Sequence, residues 1–200
     1  MTEYYQTIEK ESMAEFKDRG SKFLAYAFPI TNTTSFKTRL QDLKKEHPKA
    51  VHHCFAYRLG VSGDEFRSFD DGEPSGSAGK PILGQIDSKQ LTDVAIVVVR
   101  YFGGTLLGVP GLIHAYKTAS SLALQTVPIV QKPLLAYFTL EFDYLSMNDV
   151  MVFLRQFGAH PEKQEVNLFC EMKVAVPRTK SQEFEFRISE LRGVVCKKQG

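Results

Sequence analysis

From Val94 to Val99 the chain reads Val-Ala-Ile-Val-Val-Val, an apolar run closed by Asp93 and Arg100. Nearly all of it is β-branched, which favours an extended backbone. A strand with no polar side must be covered on both faces, so this one belongs at the centre of a sheet. Its length is far below the ~18 apolar residues that cross a bilayer, and no longer apolar run occurs. The run therefore calls for a layered fold with helices against a sheet.

The flanking patterns supply those layers. Lys22 to Phe28 reads as a strand. Phe36, Leu40 and Leu43 recur at helical spacing after the capping residues Thr33 and Thr34, and Pro48 closes that helix. Val51 to Leu59 and Glu65 to Phe69 read as a hairpin turning at Gly63-Asp64. Pro81 to Ile86 predicts a short helix. Pro110 to Gln125 predicts a long one, with Leu112, Tyr116, Ala119 and Ala123 on one face and Pro110 in the first turn, where no hydrogen bond is lost. Two prolines, Pro128 and Pro133, then flank a segment that reads as a linker. Beyond it, strands are predicted at Leu134 to Phe142, Val166 to Val176 and Val194 to Lys197, with an extra one near Glu162 to Gln164. Helices are predicted at Ser146 to Phe157 and Thr179 to Leu191. Ser146 and Asp149 form a weak capping box, and Gly158 is the stop. The expected organisation is α+β, with a first domain over residues 1–130 and a small ferredoxin-like sandwich over 134–200.

The net charge of +2 is below what a dedicated duplex-DNA binder shows. Met1 to Lys10 is polar and acidic where a secretory leader is basic and then apolar. Cys54, Cys170 and Cys196 form no CxxC pair and leave one over, which argues against a disulfide framework. These features predict a cytoplasmic protein without a membrane partner. No pattern points to a particular oligomeric state.

Two glycine-rich segments carry the chemistry. The first, Asp70-Asp71-Gly72-Glu73-Pro74-Ser75-Gly76-Ser77-Ala78-Gly79-Lys80, runs into a helix start. Its glycines allow tight bends and close approach. Its backbone N–H groups, with Ser75, Ser77 and Lys80, favour a small anion such as phosphate or carboxylate. Asp70, Asp71 and Glu73 have the composition to hold a hydrated Mg²⁺, and no other cofactor is implied. The order of Gly and Lys is not that of a Walker motif. An acidic turn followed by a plain connector accounts for the segment equally well.

The second segment, Arg100-Tyr101-Phe102-Gly103-Gly104-Thr105-Leu106-Leu107-Gly108, joins the buried strand to the long helix, again a recipe for an anion site. The dinucleotide spacing GxGxxG is absent. Arg100 is placed to pair with Asp71, Glu73 or a bound phosphate. Either pairing predicts that the two segments meet.

Between strand and loop, His52-His53-Cys54 invites a metal reading. Period two sends His52 and His53 to opposite faces, and nothing completes a zinc set. A buried histidine is the better reading. A Cys54 nucleophile lacks any sign of a lowered pKa.

Taken together, His53-Cys54-Phe55-Ala56-Tyr57-Arg58, Asp70 to Leu83, Val99-Arg100-Tyr101-Phe102-Gly103-Gly104 and Leu107-Gly108 resemble the signature of the IMPACT/YigZ family, in one order across roughly residues 20 to 125. The resemblance implies a first domain of the β-α-β type shared with a small-subunit ribosomal protein, domain IV of elongation factor G and the GHMP kinases. It implies that the tail is the ferredoxin-like domain of bacterial members. Eukaryotic IMPACT proteins regulate translation under amino-acid starvation, using an N-terminal domain that this sequence lacks. The chain departs from the family pattern at Leu106, Pro110 and His114, where a lysine, a glycine and an arginine are more common, so two phosphate-binding cations are lost.

The expected function is therefore a binding module for the translation machinery or structured RNA, by analogy of fold. The first alternative is an enzyme handling a phosphorylated or carboxylated metabolite. The second is a protein–protein adaptor. No nucleophile–base pair is identifiable by spacing. The ligand-binding candidates are Arg58, Asp70, Asp71, Glu73, Ser75, Ser77, Lys80, Arg100, Tyr101, Gly103, Gly104 and Gly108.

Overall fold

The computed structural model describes residues 3–166 and 170–199. In chain order the elements are β1 (Tyr4–Ile8), β2 (Ser12–Asp18), β3 (Ser21–Pro29), α1 (Thr33–Glu46), β4 (His52–Leu59), β5 (Glu65–Phe69), α2 (Gly79–Ser88), β6 (Val94–Tyr101), α3 (Gly108–Gln125) and β7 (Ile129–Pro133). There follow β8 (Leu135–Phe142), α4 (Met147–Phe157), β9 (His160–Val166), β10 (Cys170–Pro177), α5 (Ser181–Ile188) and β11 (Val194–Lys198). The protein is α+β. Its chain divides into two units, Tyr5–Lys132 and Met1–Tyr4 with Pro133–Gly200. Among the described residues no helix is long and apolar enough to cross a membrane.

In the first unit, β6 is the middle strand of an antiparallel sheet ordered β2-β3-β6-β4-β5. The all-apolar run now has a physical explanation. Val94, Ile96 and Val98 pack against Ile82 and Ile86 of α2 and Leu112 and Tyr116 of α3. Ala95, Val97 and Val99 pack on the other face with Phe36 and Leu43 of α1. The sheet is thus sandwiched, and residues i and i+1 of β6 belong to different cores.

Several local readings change. Asn32, not Thr33 or Thr34, caps α1: its side chain accepts the Ser35 N–H at 2.8 Å, and the Ser35 side chain returns the bond to the Asn32 backbone. The segment between Pro128 and Pro133 is not a linker but β7, paired with β1 in a two-stranded sheet. Proline is tolerated there because it stands at a strand end, where a ladder hydrogen bond need not be donated. The strands β1 and β2 have no counterpart in the sequence reading.

The second unit is an antiparallel sheet ordered β11-β8-β10-β9. Phe138, Leu140 and Phe142 of β8 share a core with Phe153 and Phe157 of α4 and Phe184 of α5. Of the stretch read as one strand from Val166 to Val176, Val166 is the last residue of β9 and Cys170 to Val176 belong to β10, and the two strands pair antiparallel. Residues 167–169, where that strand was expected to continue, lie outside the described residues. Asp143, rather than Ser146, provides the cap before α4, accepting from the Ser146 N–H at 2.8 Å. Gly158 ends α4 with φ at +66°, as its position required.

Candidate functional site

The site is built where β4, β6 and α3 converge on the first glycine-rich segment. Arg100 is the last even-numbered position of β6 before the loop, so its side chain follows Val98 to the α2/α3 face. In register it lies opposite Phe23 on β3 and His52 on β4. Its guanidinium stands 5.4 Å from the Phe23 ring centroid and 5.6 Å from that of Phe102. Its Nη1 donates to Glu73 Oε1 at 2.6 Å, and both side chains are almost wholly buried. The same oxygen accepts the Tyr116 hydroxyl at 2.7 Å, and His52 Nε2 is 3.8 Å away. Cys54 Sγ donates to the Asp70 carbonyl at 2.9 Å and lies 3.3 Å from the Tyr116 oxygen. A charged pair removed from water needs such further hydrogen bonds to be tolerated.

Asp70 organises the loop in front of this pair. Its carboxylate accepts the N–H groups of Gly76, Ala78 and Gly79 at 2.9, 3.0 and 2.8 Å. Burial alone would raise its pKa; the Gly76, Gly79 and Ala78 N–H groups, with Lys80 nearby, outweigh that and hold it below the usual carboxylate range. The carboxylate thereby does the work of a cap for α2, whose formal N-cap, Ala78, has no side-chain acceptor. Asp71 turns the other way. It takes a left-handed φ of +45°, accepts the His53 N–H at 2.7 Å through its carboxylate, and presents its carbonyl 2.7 Å from His52 Nδ1.

The three carboxylates whose composition would suit Mg²⁺ therefore point to three different partners. Among the described residues no group of three His, Cys, Asp or Glu side chains could hold a metal ion. Neither Cys54 nor Tyr116 is poised as a nucleophile. Burial pushes the Cys54 thiol well above its ordinary range, and it raises the Tyr116 phenol in the same way, reinforced by Cys54 and Glu73.

The fold separates the twelve sequence candidates. Asp70, Asp71, Glu73 and Arg100 share the network just described. Ser77 is buried, donating to the Pro74 carbonyl at 2.6 Å, while Ser75 and Lys80 are exposed. Tyr101, one residue after Arg100, goes to the opposite face, where its hydroxyl meets His47 Nδ1 at 2.9 Å. Arg58 sits at the other end of β4, six residues and roughly 20 Å along the strand from His52. There it bonds Asp87 at 2.7 Å. Gly103 is committed to packing: a Cβ there would come within 1.9 Å of the Gly20 backbone. Gly104 and Gly108 have φ of +86° and +69° and shape the exposed turn into α3. The two segments do meet, joined by the bond between Glu73 and Arg100.

A model of the Impact N-terminal domain matches residues 19–124, which span strands β3 to β6 of this unit's sheet and all of its site. The chain belongs to the IMPACT family. It is 32% identical over 174 residues to "IMPACT family member YigZ" of Escherichia coli K12, covering 86% of this chain and 85% of that protein. Its match to "IMPACT family member YvyE" of Bacillus subtilis 168 runs at 30% identity over 98% of this chain and 97% of that one. Eukaryotic IMPACT proteins match a smaller part: "Protein IMPACT-A" of Xenopus tropicalis is 33% identical over 54% of this chain and 35% of its own length. A solved structure described as "Crystal structure of an hypothetical protein" superposes with a TM-score of 0.81 at 28% identity, over 100% of this chain and 99% of that one.

Within this IMPACT-family unit the residue missed by sequence reasoning is Tyr116, which had been counted only as core. A tyrosine on a helix stripe otherwise made of Leu and Ala was the available signal, because a buried phenol needs a hydrogen-bond partner.

Proposed function

We propose that this IMPACT-family chain is a binding module acting on the translation machinery, through the ribosome or structured RNA, and not an enzyme. The observation that carries the reading is how the site's titratable groups are used. Asp70, Asp71 and Glu73 are each consumed in a structural bond, and the only thiol at the site is buried and hard to ionise. Open to solvent are a glycine-rich backbone, the Ser75 hydroxyl and the cation Lys80, which suit contact with a large polyanion better than turnover. The fold resemblance supports the same reading. The order β8-α4-β9-β10-α5-β11 is that of a ferredoxin-like sandwich, and the first unit is read as the ribosomal-protein and elongation-factor type. Three free cysteines fit a cytoplasmic setting.

The test is co-sedimentation with ribosomes across a salt series. Association at low salt is expected, with Lys80→Ala lowering the slope of log affinity against log salt by about one. No association even at low salt removes the proposal. Arg100 is unsuitable as a probe, because its loss would strand Glu73.

One observation favours a second reading. Nε of Arg100 is buried and has no hydrogen-bond partner among the described residues, a donor that a small anion would satisfy. Saturable thermal stabilisation by a single phosphorylated or carboxylated metabolite would move the assignment to an anion-handling enzyme.

A further inference from the structure

In the second unit a groove of about 340 Å³ lies between α4 and the end of α5, at the small end of the range for binding clefts. Asp149, Val152, Phe153 and Gln156 line it from α4. Their spacing places them on one face of that helix, which spans Met147–Phe157. Arg187 of α5 forms the other wall, with Glu190 and Leu191 from the turn that follows. That turn is held in place as the N–H groups of Glu190 and Leu191 donate to the Arg187 and Ile188 carbonyls at 3.3 and 3.2 Å. The floor is apolar: Phe153 is buried, Leu191 is half-buried and Val152 is 42% exposed.

The charges around the groove are unevenly paired. Arg187 is engaged: its guanidinium lies over the Phe153 and Phe157 rings, 5.9 and 5.3 Å from their centroids, and its Nη1 is 3.6 Å from Glu183 Oε1. Glu185 acts on the Cys196 thiol, toward β11. Arg155, Arg192 and Lys198 are exposed and do not line the groove. The strands behind the helices turn apolar side chains to them, among them Phe138 and Leu140 of β8 and Met172 and Val174 of β10. By period two, Glu141, Glu171, Lys173 and Lys197 therefore belong to the opposite face of the sheet. Asp149 and Glu190 remain, one exposed carboxylate on each wall, and neither forms an ion pair among the described residues. Asp149 stands in the first turn of α4, at the positive end of its dipole.

We infer that this groove receives a lysine-rich segment of a partner protein, one lysine of which lays its alkyl stem along Val152 and Leu191 and brings its ammonium to the Asp149 and Glu190 carboxylates. A lysine side chain has the two chemistries the groove offers, an apolar stem and a compact cationic head. Arginine fits less well, because it gains by stacking on aromatic faces and Arg187 already covers those of Phe153 and Phe157. A free amine is a poor occupant. Exposed ion pairs are individually weak, so retention needs the further contacts of a chain that carries several cations. Nucleic acid is excluded at this face, since its phosphates would meet two unpaired carboxylates. The inference goes beyond the ribosome reading and does not depend on it: the groove belongs to the second unit, and its test contains no ribosome or RNA.

The probe is a fluorescein-labelled peptide with lysine at every third position among leucine, glycine and serine, followed by anisotropy with the full chain. Saturable binding is expected, and it should be lost when the lysines are acetylated, which keeps the stems and removes the charge. Asp149→Asn and Glu190→Gln, both isosteric and on exposed side chains, should each weaken binding about two- to fivefold, and together about tenfold. Glu171→Gln, an exposed carboxylate on the opposite face of the sheet, should leave it unchanged. All four proteins should melt at the same temperature. Equal binding of the acetylated peptide overturns the proposal, as does indifference to the double variant or no saturation up to ~1 mM peptide. So does displacement of the peptide by an equal concentration of 1,5-diaminopentane, which would make the groove a small-amine site. Sedimentation that finds a dimer abolished by Asp149→Asn would likewise overturn it in favour of a second copy of this chain.

Discussion

Breaking the pair between Glu73 and Arg100 tests whether the two glycine-rich segments are locked by one buried bond. The two side chains are 3% and 6% exposed, with 2.6 Å between nitrogen and oxygen. Removing one member of a buried pair costs about 3–5 kcal/mol, because the surviving charge stays in the interior without compensation. Arg100→Met leaves the Glu73 carboxylate with the Tyr116 hydroxyl as its remaining close donor. Glu73→Leu leaves the guanidinium between Phe23 and Phe102 and takes the acceptor from Tyr116. Each single variant should lower the melting temperature by roughly 6–20 °C, at about 2–4 °C per kcal/mol for a chain of this length. The double variant removes both charges together and keeps the volume filled. Its residual penalty is the Tyr116 phenol without an acceptor, about 1–3 kcal/mol. The double-mutant cycle should therefore return a coupling energy above ~2 kcal/mol. The assay is urea unfolding followed by circular dichroism and by tyrosine fluorescence. If each single variant loses under ~1 kcal/mol and the effects add, the pair behaves as a screened surface bridge and the argument for a buried lock is refuted.

The remaining predictions concern packing, pH and thiol reactivity. Gly103→Ala should destabilise by about 1–3 kcal/mol through its clash with the Gly20 backbone. Gly84→Ala, in α2 with open space around it, should stabilise by about 0.4–1 kcal/mol, and a thermal-shift comparison of the two checks both signs. Burial holds the pKa of His53 below its ordinary value, with Lys44 adding to the effect. The folded state therefore prefers the neutral ring, so its contribution is complete above the unfolded pKa of about 6.5 and is lost as pH falls below it. The urea midpoint should drop between pH 8 and pH 5, and His53→Gln should flatten that drop; an unchanged profile would count against it. The lowered pKa of Asp70 adds a second loss at more acid pH, as the carboxylate that caps α2 is protonated. In native protein a thiol reagent should modify Cys196 first, slowly because burial and Glu185 push its pKa up to about 11. Cys54 and Cys170 are buried and should react only on unfolding; fast labelling of Cys54 would disprove its enclosure.

Where local pattern alone controls structure, the sequence was sufficient. The β-branched run became the central strand because nothing but two apolar layers can accept it. The face of α3 carrying Leu112, Tyr116, Ala119 and Ala123 was legible from helical spacing. Gly158 stopped α4 because an αL turn suits glycine. Pairing decided the rest. Arg100 and Tyr101 look like one cluster in the sequence, yet period two drives them into different cores. Arg58 belongs to the same signature stretch as His53 and Cys54, but strand geometry carries it to the far end of β4. Asp70 looks like a metal ligand and serves as a helix cap, because only the folded loop brings the N–H groups of Gly76, Ala78 and Gly79 to it. The prolines around β7 look like linker punctuation, and only the distant β1 turns that segment into a strand. Each of these outcomes depends on which group lies across from a residue, and that is set by contacts between parts of the chain far apart in sequence.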